Sequence, residues 1–303
     1  MEKRRLGNTG LEVTPLGFGA AQIRRQEVDQ AQASRILEAT LAQGINVIDT
    51  AACYGDSEVK IGRALSSRRG EFILVSKCGH RVEGLTSPPW SPQIVGESLD
   101  RSLRRLHTDY LDVLLLHSCP AETLQHEAIL EALRQAKRAG KARFVGYSGD
   151  GQNAEAAIET GVFEVLEMSM NLCDQQPLEL YLSRAARSGL GVIVKRAIAN
   201  AAWRDLPAGG VSLSEPSRPY AKRLMAMGLS PQAVGFNGSW AEMALRFTLF
   251  QPGVSCGIVG GVNADHPCEN VQMVERGPLP DSVLQAIRRL WSKHDDGSWV
   301  PHV

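Results

Sequence analysis

Residues 44–55 read GINVIDTAACYG, residues 71–77 read EFILVSK and residues 111–117 read LDVLLLH. Each apolar run stops at an ionisable side chain: Asp49, with Tyr54 close behind it, then Lys77, then His117. A strand interior has no use for such groups, and burying one without a partner costs several kcal/mol. The carboxyl ends of parallel strands are where α/β barrels assemble their sites. Side chains alternate faces along a strand. Asp49 therefore shares a face with Ile45 and Val47, Lys77 with Ile73 and Val75, and His117 with Val113 and Leu115. With those columns pointing inward, the three polar ends converge above one core, and Tyr54 lies in a loop that folds over the mouth. Taken singly, an Asp before a Thr reads equally well as a turn former, and a strand-end His as a structural residue. The set carries the reading.

The rest of the chain repeats the same unit. LGNTGLEVTPLGFG predicts a hairpin leading into a first core strand. A helix near 31–43 stops at Gly44, strand 45–50 follows, then a helix near 57–67 and strand 71–77. Ser91 as N-cap and Pro92 at the first helical position mark the next helix. Val95, Leu99, Leu103 and Leu106 lie on one face of it. Strands 111–117, 142–148 and 163–169, the strand GVIVKR and strand 254–259 alternate with further helices, one of them near 177–188 and one near 239–251. The stretch 197–238 is too long for an ordinary connection and predicts a functional loop with some helix of its own. Eight strands alternating with helices predict a (β/α)8 barrel with an N-terminal β-hairpin and late extra helices, one domain over residues 1–303. A doubly wound open sheet is the alternative. It is disfavoured because no G-x-G-x-x-G follows the first strand.

Composition excludes several classes of function. The 303 residues carry 33 Lys plus Arg against 33 Asp plus Glu. No global basic field therefore points to nucleic acid or to an anionic membrane. No run reaches the roughly 20 apolar residues needed to span a bilayer. The start MEKRRLGNTG lacks the apolar region of a secretory signal. Six cysteines, none in a C-x-x-C pair, are expected as reduced thiols of a cytoplasmic protein. Cys53, Cys78 and Cys119 each neighbour a member of the polar set and read best as small buried hydrophobes. The His and carboxylate spacings give no metal-ligand pattern, so no metal is expected.

The chemistry of the set is acid–base work on an oxygen. A free tyrosine, with a pKa of about 10, exchanges protons poorly near neutrality. A nearby ammonium stabilises the phenolate and lowers that value, so Lys77, held by Asp49, is expected to bring Tyr54 down. His117 is placed to orient the reacting oxygen. Hydride from a nicotinamide fits what remains, in a water-poor barrel mouth.

The segments RRLGNTGLEVTPLGFG, GINVIDTAACYGDSE, ILVSK, DYLDVLLLH, FVGYSG and IVGGVNADHPCENV are similar to those of the aldo-keto reductase superfamily over essentially the whole chain. GIN-x-x-DTA-x-x-YG is the most specific of them. The resemblance implies a barrel without a Rossmann domain and a nicotinamide cofactor across its mouth, NADP(H) favoured and NAD(H) possible. It implies a small-molecule carbonyl substrate, with Tyr54 as proton donor, Lys77 and Asp49 tuning it and His117 orienting the substrate.

The same resemblance places further residues at the cofactor. Ser148 matches the serine that holds the carboxamide, although Gly149 stands where Asn is usual and Glu167 where Gln is usual. Lys195 and Arg196 read either as a solvated strand end or as a cation pair near the pyrophosphate, the second being preferred. Gly260, Gly261, Asn263, His266 and Asn270 fall in the segment that grips the adenosine phosphate, with Asn263 as helix N-cap and His266 where Arg is frequent. Trp90 and Trp203 are candidate pocket walls or packed loop anchors. The carbonyl compound and the oligomeric state are not written in these motifs.

Overall fold

The structure is a computed structural model, and it describes residues 1–208 and 217–300. Eight parallel strands close into a barrel in sequential order: β1 (Leu16–Gly19), β2 (Val47–Asp49), β3 (Ile73–Cys78), β4 (Leu111–His117), β5 (Ala142–Ser148), β6 (Val165–Ser169), β7 (Gly191–Lys195) and β8 (Cys256–Val259). β8 returns to pair with β1, so the open-sheet alternative is excluded. Helices α1 (Gln30–Ala42), α2 (Ser57–Leu65), α3 (Pro92–Leu106), α4 (Glu127–Arg138) and α5 (Gly151–Glu159) follow β2's predecessor and the next four strands in turn. The segment expected as one helix near 177–188 is two, α6 (Gln176–Leu180) and α7 (Leu182–Arg187), separated at Tyr181.

Local sequence explains the boundaries. Asp29 caps α1 by accepting from the Gln32 amide at 2.7 Å. The chain then turns at Gly44 with φ +74°, a conformation that favours glycine. Ser91 accepts from the Ile94 amide and Pro92 opens α3, as the capping pattern requires. Within the stretch 197–238, α8 (Arg218–Met227) is present and residues 209–216 lie outside the described residues. α9 (Trp240–Leu249), α10 (His266–Val274) and α11 (Asp281–His294) complete the chain.

Two apolar layers position the site. The barrel interior holds Val47, Ile73, Val75, Val113, Leu115, Val165, Ile193, Cys256 and Ile258, plugged from below by Leu6, Leu11 and Val13 of the hairpin Arg4–Arg5/Glu12–Val13. The polar columns therefore do point inward. Ile45 is the exception. It packs in the outer layer between strands and helices, because β2 begins only at Val47 and the alternation does not extend back past it. A separate apolar cluster, including Tyr220, Met243, Phe247, Ile287 and Trp291, binds α8, α9 and α11 together.

Candidate active site

Asp49, Lys77 and Glu167 end inward columns of β2, β3 and β6, and all three are almost fully buried. The Lys77 ammonium donates to both oxygens of Asp49, at 2.6 and 2.5 Å, and to the Thr50 carbonyl at 3.0 Å. It also lies 3.3 Å from Glu167 Oε2. Glu167 Oε1 accepts from the Ser148 hydroxyl at 2.8 Å, and β4, β5 and β6 are in register so that His117, Ser148 and Glu167 stand side by side.

Tyr54 is held over this group by two turns. Its amide donates to the Ala51 carbonyl at 3.0 Å, and the Ser57 amide donates to the Tyr54 carbonyl at 2.9 Å. Lys77 Nζ lies 5.5 Å from the centre of its ring, and the Arg24 guanidinium carbon 5.7 Å. The His117 ring meets it edge-on at 6.1 Å. The four residues first picked out by their places at strand ends thus share one mouth.

Electrostatics correct one expectation. The Tyr54 phenol is not brought down but pushed up to about 12. Burial is the main cause, and the charges of Asp49 and Glu167 oppose the lowering effect of Lys77. Burial, and then Glu167, hold Asp49 well above the usual carboxylate range against the pull of Lys77. Glu167 is lowered: burial works against its ionisation, but Lys77, Lys195 and hydrogen bonds with Asp49 and Ser148 outweigh it. Burial alone would lower Lys77, yet Asp49 and Glu167 raise it, so it is a fixed cation. His117 is brought down to about 2 by burial and then by Lys77, so the imidazole is neutral.

The other predicted residues fall into groups. Gly260, Gly261, Asn263, His266 and Asn270 line one narrow cavity of about 10 Å³, with Leu16, Phe18 and Ile45 on its other walls. Asn263 is not the N-cap. α10 starts at His266 after Asp265, and the Asn263 side chain instead accepts from the Asp265 amide at 3.0 Å, an Asx turn ahead of the helix. Lys195 and Arg196 are not solvated strand-end cations. Lys195 lies 3.2 Å and Arg196 3.8 Å from the buried Asp150 carboxylate. Trp90 sits at the mouth, donating to the His117 carbonyl at 2.9 Å. Trp203 stacks on Trp240 at 5.6 Å beside the outer helical cluster, the contact of a packed anchor. Gly149 has a steric reason: a Cβ there would lie 2.4 Å from the Tyr147 hydroxyl, which is itself bonded to the Cys119 carbonyl at 2.7 Å.

Sequence reasoning missed that Glu167 joins Asp49 on Lys77. The signal was present, because Val165 and Glu167 share an inward face in VLEMS just as Val47 and Asp49 do. It also missed His80. This ring stacks on His117 at 4.5 Å and meets Trp90 edge-on at 5.8 Å.

The model of the Aldo/keto reductase family matches residues 15–292. The chain belongs to the aldo-keto reductase family. An uncharacterized oxidoreductase of Bacillus subtilis (strain 168) is 28% identical to this member over 299 residues, 95% of this chain and 96% of that protein. A probable voltage-gated potassium channel subunit beta of Oryza sativa subsp. japonica is 26% identical over 92% of this chain and 93% of its own length. Among solved structures, the holo form of an aldo-keto reductase from Bacillus halodurans superposes with a TM-score of 0.83, at 29% identity, and covers 96% of each chain. The protein is therefore an oxidoreductase barrel of this family. No helix among the described residues is long and apolar enough to cross a membrane.

Proposed function

We propose that this aldo-keto reductase, acting as one barrel domain, reduces an aldehyde or ketone to an alcohol with a nicotinamide cofactor, and that Tyr54 donates the proton. The observation that carries the reading is the convergence of Tyr54, Lys77, Asp49 and His117 on one barrel mouth. Hydride for the carbonyl carbon is the chemistry a nicotinamide supplies when bound. The donor set fits such a dinucleotide. The cavity at Gly260, Gly261, Asn263, His266 and Asn270 faces the start of α10, where free N–H groups favour phosphate. The buried Ser148–Glu167 pair offers a hydroxyl and a carboxylate to an amide.

The residues then divide the work. Neutral His117 donates a hydrogen bond to the substrate oxygen and orients it. Tyr54, protonated at any ordinary pH, gives its proton to the developing alkoxide, a far stronger base than a phenolate. Lys77, kept charged by Asp49, stabilises the phenolate left behind. We assign Ser148, Glu167, Lys195 and Arg196 to the nicotinamide and pyrophosphate side. The Gly260–Asn270 cavity is assigned to the adenosine phosphate, with NADP(H) preferred over NAD(H). Trp90 is proposed as a pocket wall and Trp203 as the anchor of its loop.

A carbonyl panel assayed with NADPH and with NADH tests this. Turnover that disappears in Tyr54→Phe supports the reading, and a folded wild-type protein that binds neither cofactor ends it. A second reading, a cofactor-binding barrel of low turnover with a regulatory role, is favoured by the similarity to the potassium channel beta subunit. Cofactor binding without turnover across the panel would support it.

A further inference from the structure

We infer that Cys53 positions His117: its S–H donates to Nδ1 of the imidazole, fixes the single ring proton on Nε2, and so leaves an N–H donor for the substrate oxygen. The inference rests on the reading of His117 as the group that orients that oxygen. Cys53 Sγ lies 3.5 Å from His117 Nδ1, and Nε2 has no hydrogen-bond partner among the described residues. A neutral imidazole carries one N–H and one bare nitrogen, and the hydrogen bond at one nitrogen decides the state of the other. With Nδ1 bare toward a thiol, Nε2 holds the proton. With Nδ1–H on the sulfur, Nε2 would be bare and would meet a carbonyl oxygen acceptor to acceptor.

The thiol is equipped to be the donor. Burial raises Cys53, and Lys77 lowers it by less, so the sulfur keeps its hydrogen. Burial and then Lys77 bring His117 down to about 2, so its ring holds one proton rather than two. Sulfur accepts only weakly, which disfavours the reverse arrangement. The scaffold fixes the pair. Cys53 sits in the turn after β2 that the Tyr54 amide closes on the Ala51 carbonyl at 3.0 Å, and His117 ends β4. The His117 ring is held in its plane by His80, stacked on it at 4.5 Å with the planes 10° apart, and Tyr54 meets it edge-on. The Trp90 indole donates to the His117 carbonyl at 2.9 Å, and His80 hydrogen-bonds with the His117 backbone. Cys78 and Cys119, read with Cys53 from the sequence as small hydrophobes, are buried, whereas Cys53 is only half-buried and has its sulfur on a ring nitrogen. One turn thus places the phenol of Tyr54 and, one residue earlier, the thiol that sets the orienting imidazole.

The test reads the tautomer directly, in the reduced full chain with ¹⁵N-labelled histidine, by long-range ¹H–¹⁵N correlation, with His117→Asn used to assign the ring. Wild type should show a bare Nδ1 and a protonated Nε2 at His117. Cys53→Ala, which removes the donor, should give a mixture of the two tautomers, and Cys53→Ser, which keeps an O–H donor, should retain the wild-type form. An Nδ1–H tautomer in wild type, an unchanged spectrum in Cys53→Ala, or the same mixture in Cys53→Ser overturns the role. No substrate or cofactor is needed, so a protein that reduces no carbonyl still passes or fails this test, and the failure of the proposed reaction is read separately. With any carbonyl that is turned over, kcat/KM should fall about twofold to tenfold in Cys53→Ala, the worth of one neutral hydrogen bond, while the cofactor dissociation constant stays at the wild-type value. Unchanged kcat/KM also overturns the role. Should Cys53→Ala fail to fold, the S–H Raman band that Cys53→Ser removes decides: a frequency below that of a free thiol supports the donor, and the free-thiol frequency overturns it.

Discussion

Glu167 Oε2 lies 3.3 Å from Lys77 Nζ, a second carboxylate on an ammonium that Asp49 already holds at 2.5 Å. This second charge raises Tyr54 and opposes the pull of Lys77. Glu167→Gln should therefore lower the pH at which the Tyr54 phenol ionises. Ultraviolet difference titration of Glu167→Gln, with Tyr54→Phe subtracted, reads this directly. An unmoved titration would show that Glu167 does not act on the phenol.

Tyr54→Phe removes the proton and leaves the ring packing. Carbonyl reduction should fall by roughly 10²–10⁴, the range for a positioned acid, while cofactor affinity stays close to wild type. Near-normal turnover in a folded variant would take Tyr54 out of the reaction.

Lys77→Met strands two buried carboxyls around an apolar side chain. Breaking a buried pair by removing one partner costs about 3–5 kcal/mol, so the melting temperature should drop as well as turnover. The Tyr54 phenol should titrate still higher, because its main lowering charge is gone. A variant with wild-type stability would mean that Lys77 contributes little to holding Asp49 and Glu167 in place.

Asp174 offers a pH test of stability away from the mouth. It is fully buried, neither carboxyl oxygen has a hydrogen-bond partner among the described residues, and burial raises it to about 7 against the pull of Arg223, with Asp150 raising it and Arg196 and Lys195 lowering it. Its unfolded value is about 3.9. Between these values the folded chain holds a proton that the unfolded chain has lost. Asp174 therefore lowers stability by up to about 1.4 kcal/mol per pH unit as pH rises from 4 to 7, with no further change above. Asp174→Asn should flatten that slope, and the gain over wild type should be largest above pH 7. Parallel melting-temperature profiles from pH 4 to 8 would refute it.

His266→Arg tests the cofactor assignment. His266 lines the cavity at the glycine turn. A permanent cation there should tighten NADPH by about 1–2 kcal/mol through a charge-assisted phosphate contact and leave NADH nearly unchanged. Dissociation constants for both cofactors provide the comparison. Equal gains for the two would move the 2′-phosphate elsewhere, towards Lys195 or Arg196.

Period-2 alternation made the barrel legible, and the polar ends of several inward columns marked its mouth. Val47 and Asp49, Val75 and Lys77, and Leu115 and His117 follow that rule. Ile45 breaks it, since alternation begins only where the strand begins. The direction of the Tyr54 shift was not legible. It depends first on burial, which a one-dimensional reading does not see, and then on the charges of Asp49 and Glu167. Asn263 was misplaced by the usual shift of one or two residues at a helix start. His80 and His117 are separated by 37 positions, so no linear spacing pattern joins them. Only barrel closure does.

Gly149 backs onto the Tyr147 ring, with its hydroxyl, Cε1 and Cζ 2.4, 2.5 and 2.6 Å from where a Cβ would stand. Removing the hydroxyl alone leaves two ring carbons in the way. Any lineage or engineer installing the usual asparagine must replace that aromatic ring first, and so open a void beside Phe163 and the Cys119 loop before gaining an amide. Positions 147 and 149 are therefore sterically coupled. A single glycine is thus tied to the aromatic ring two residues before it on β5.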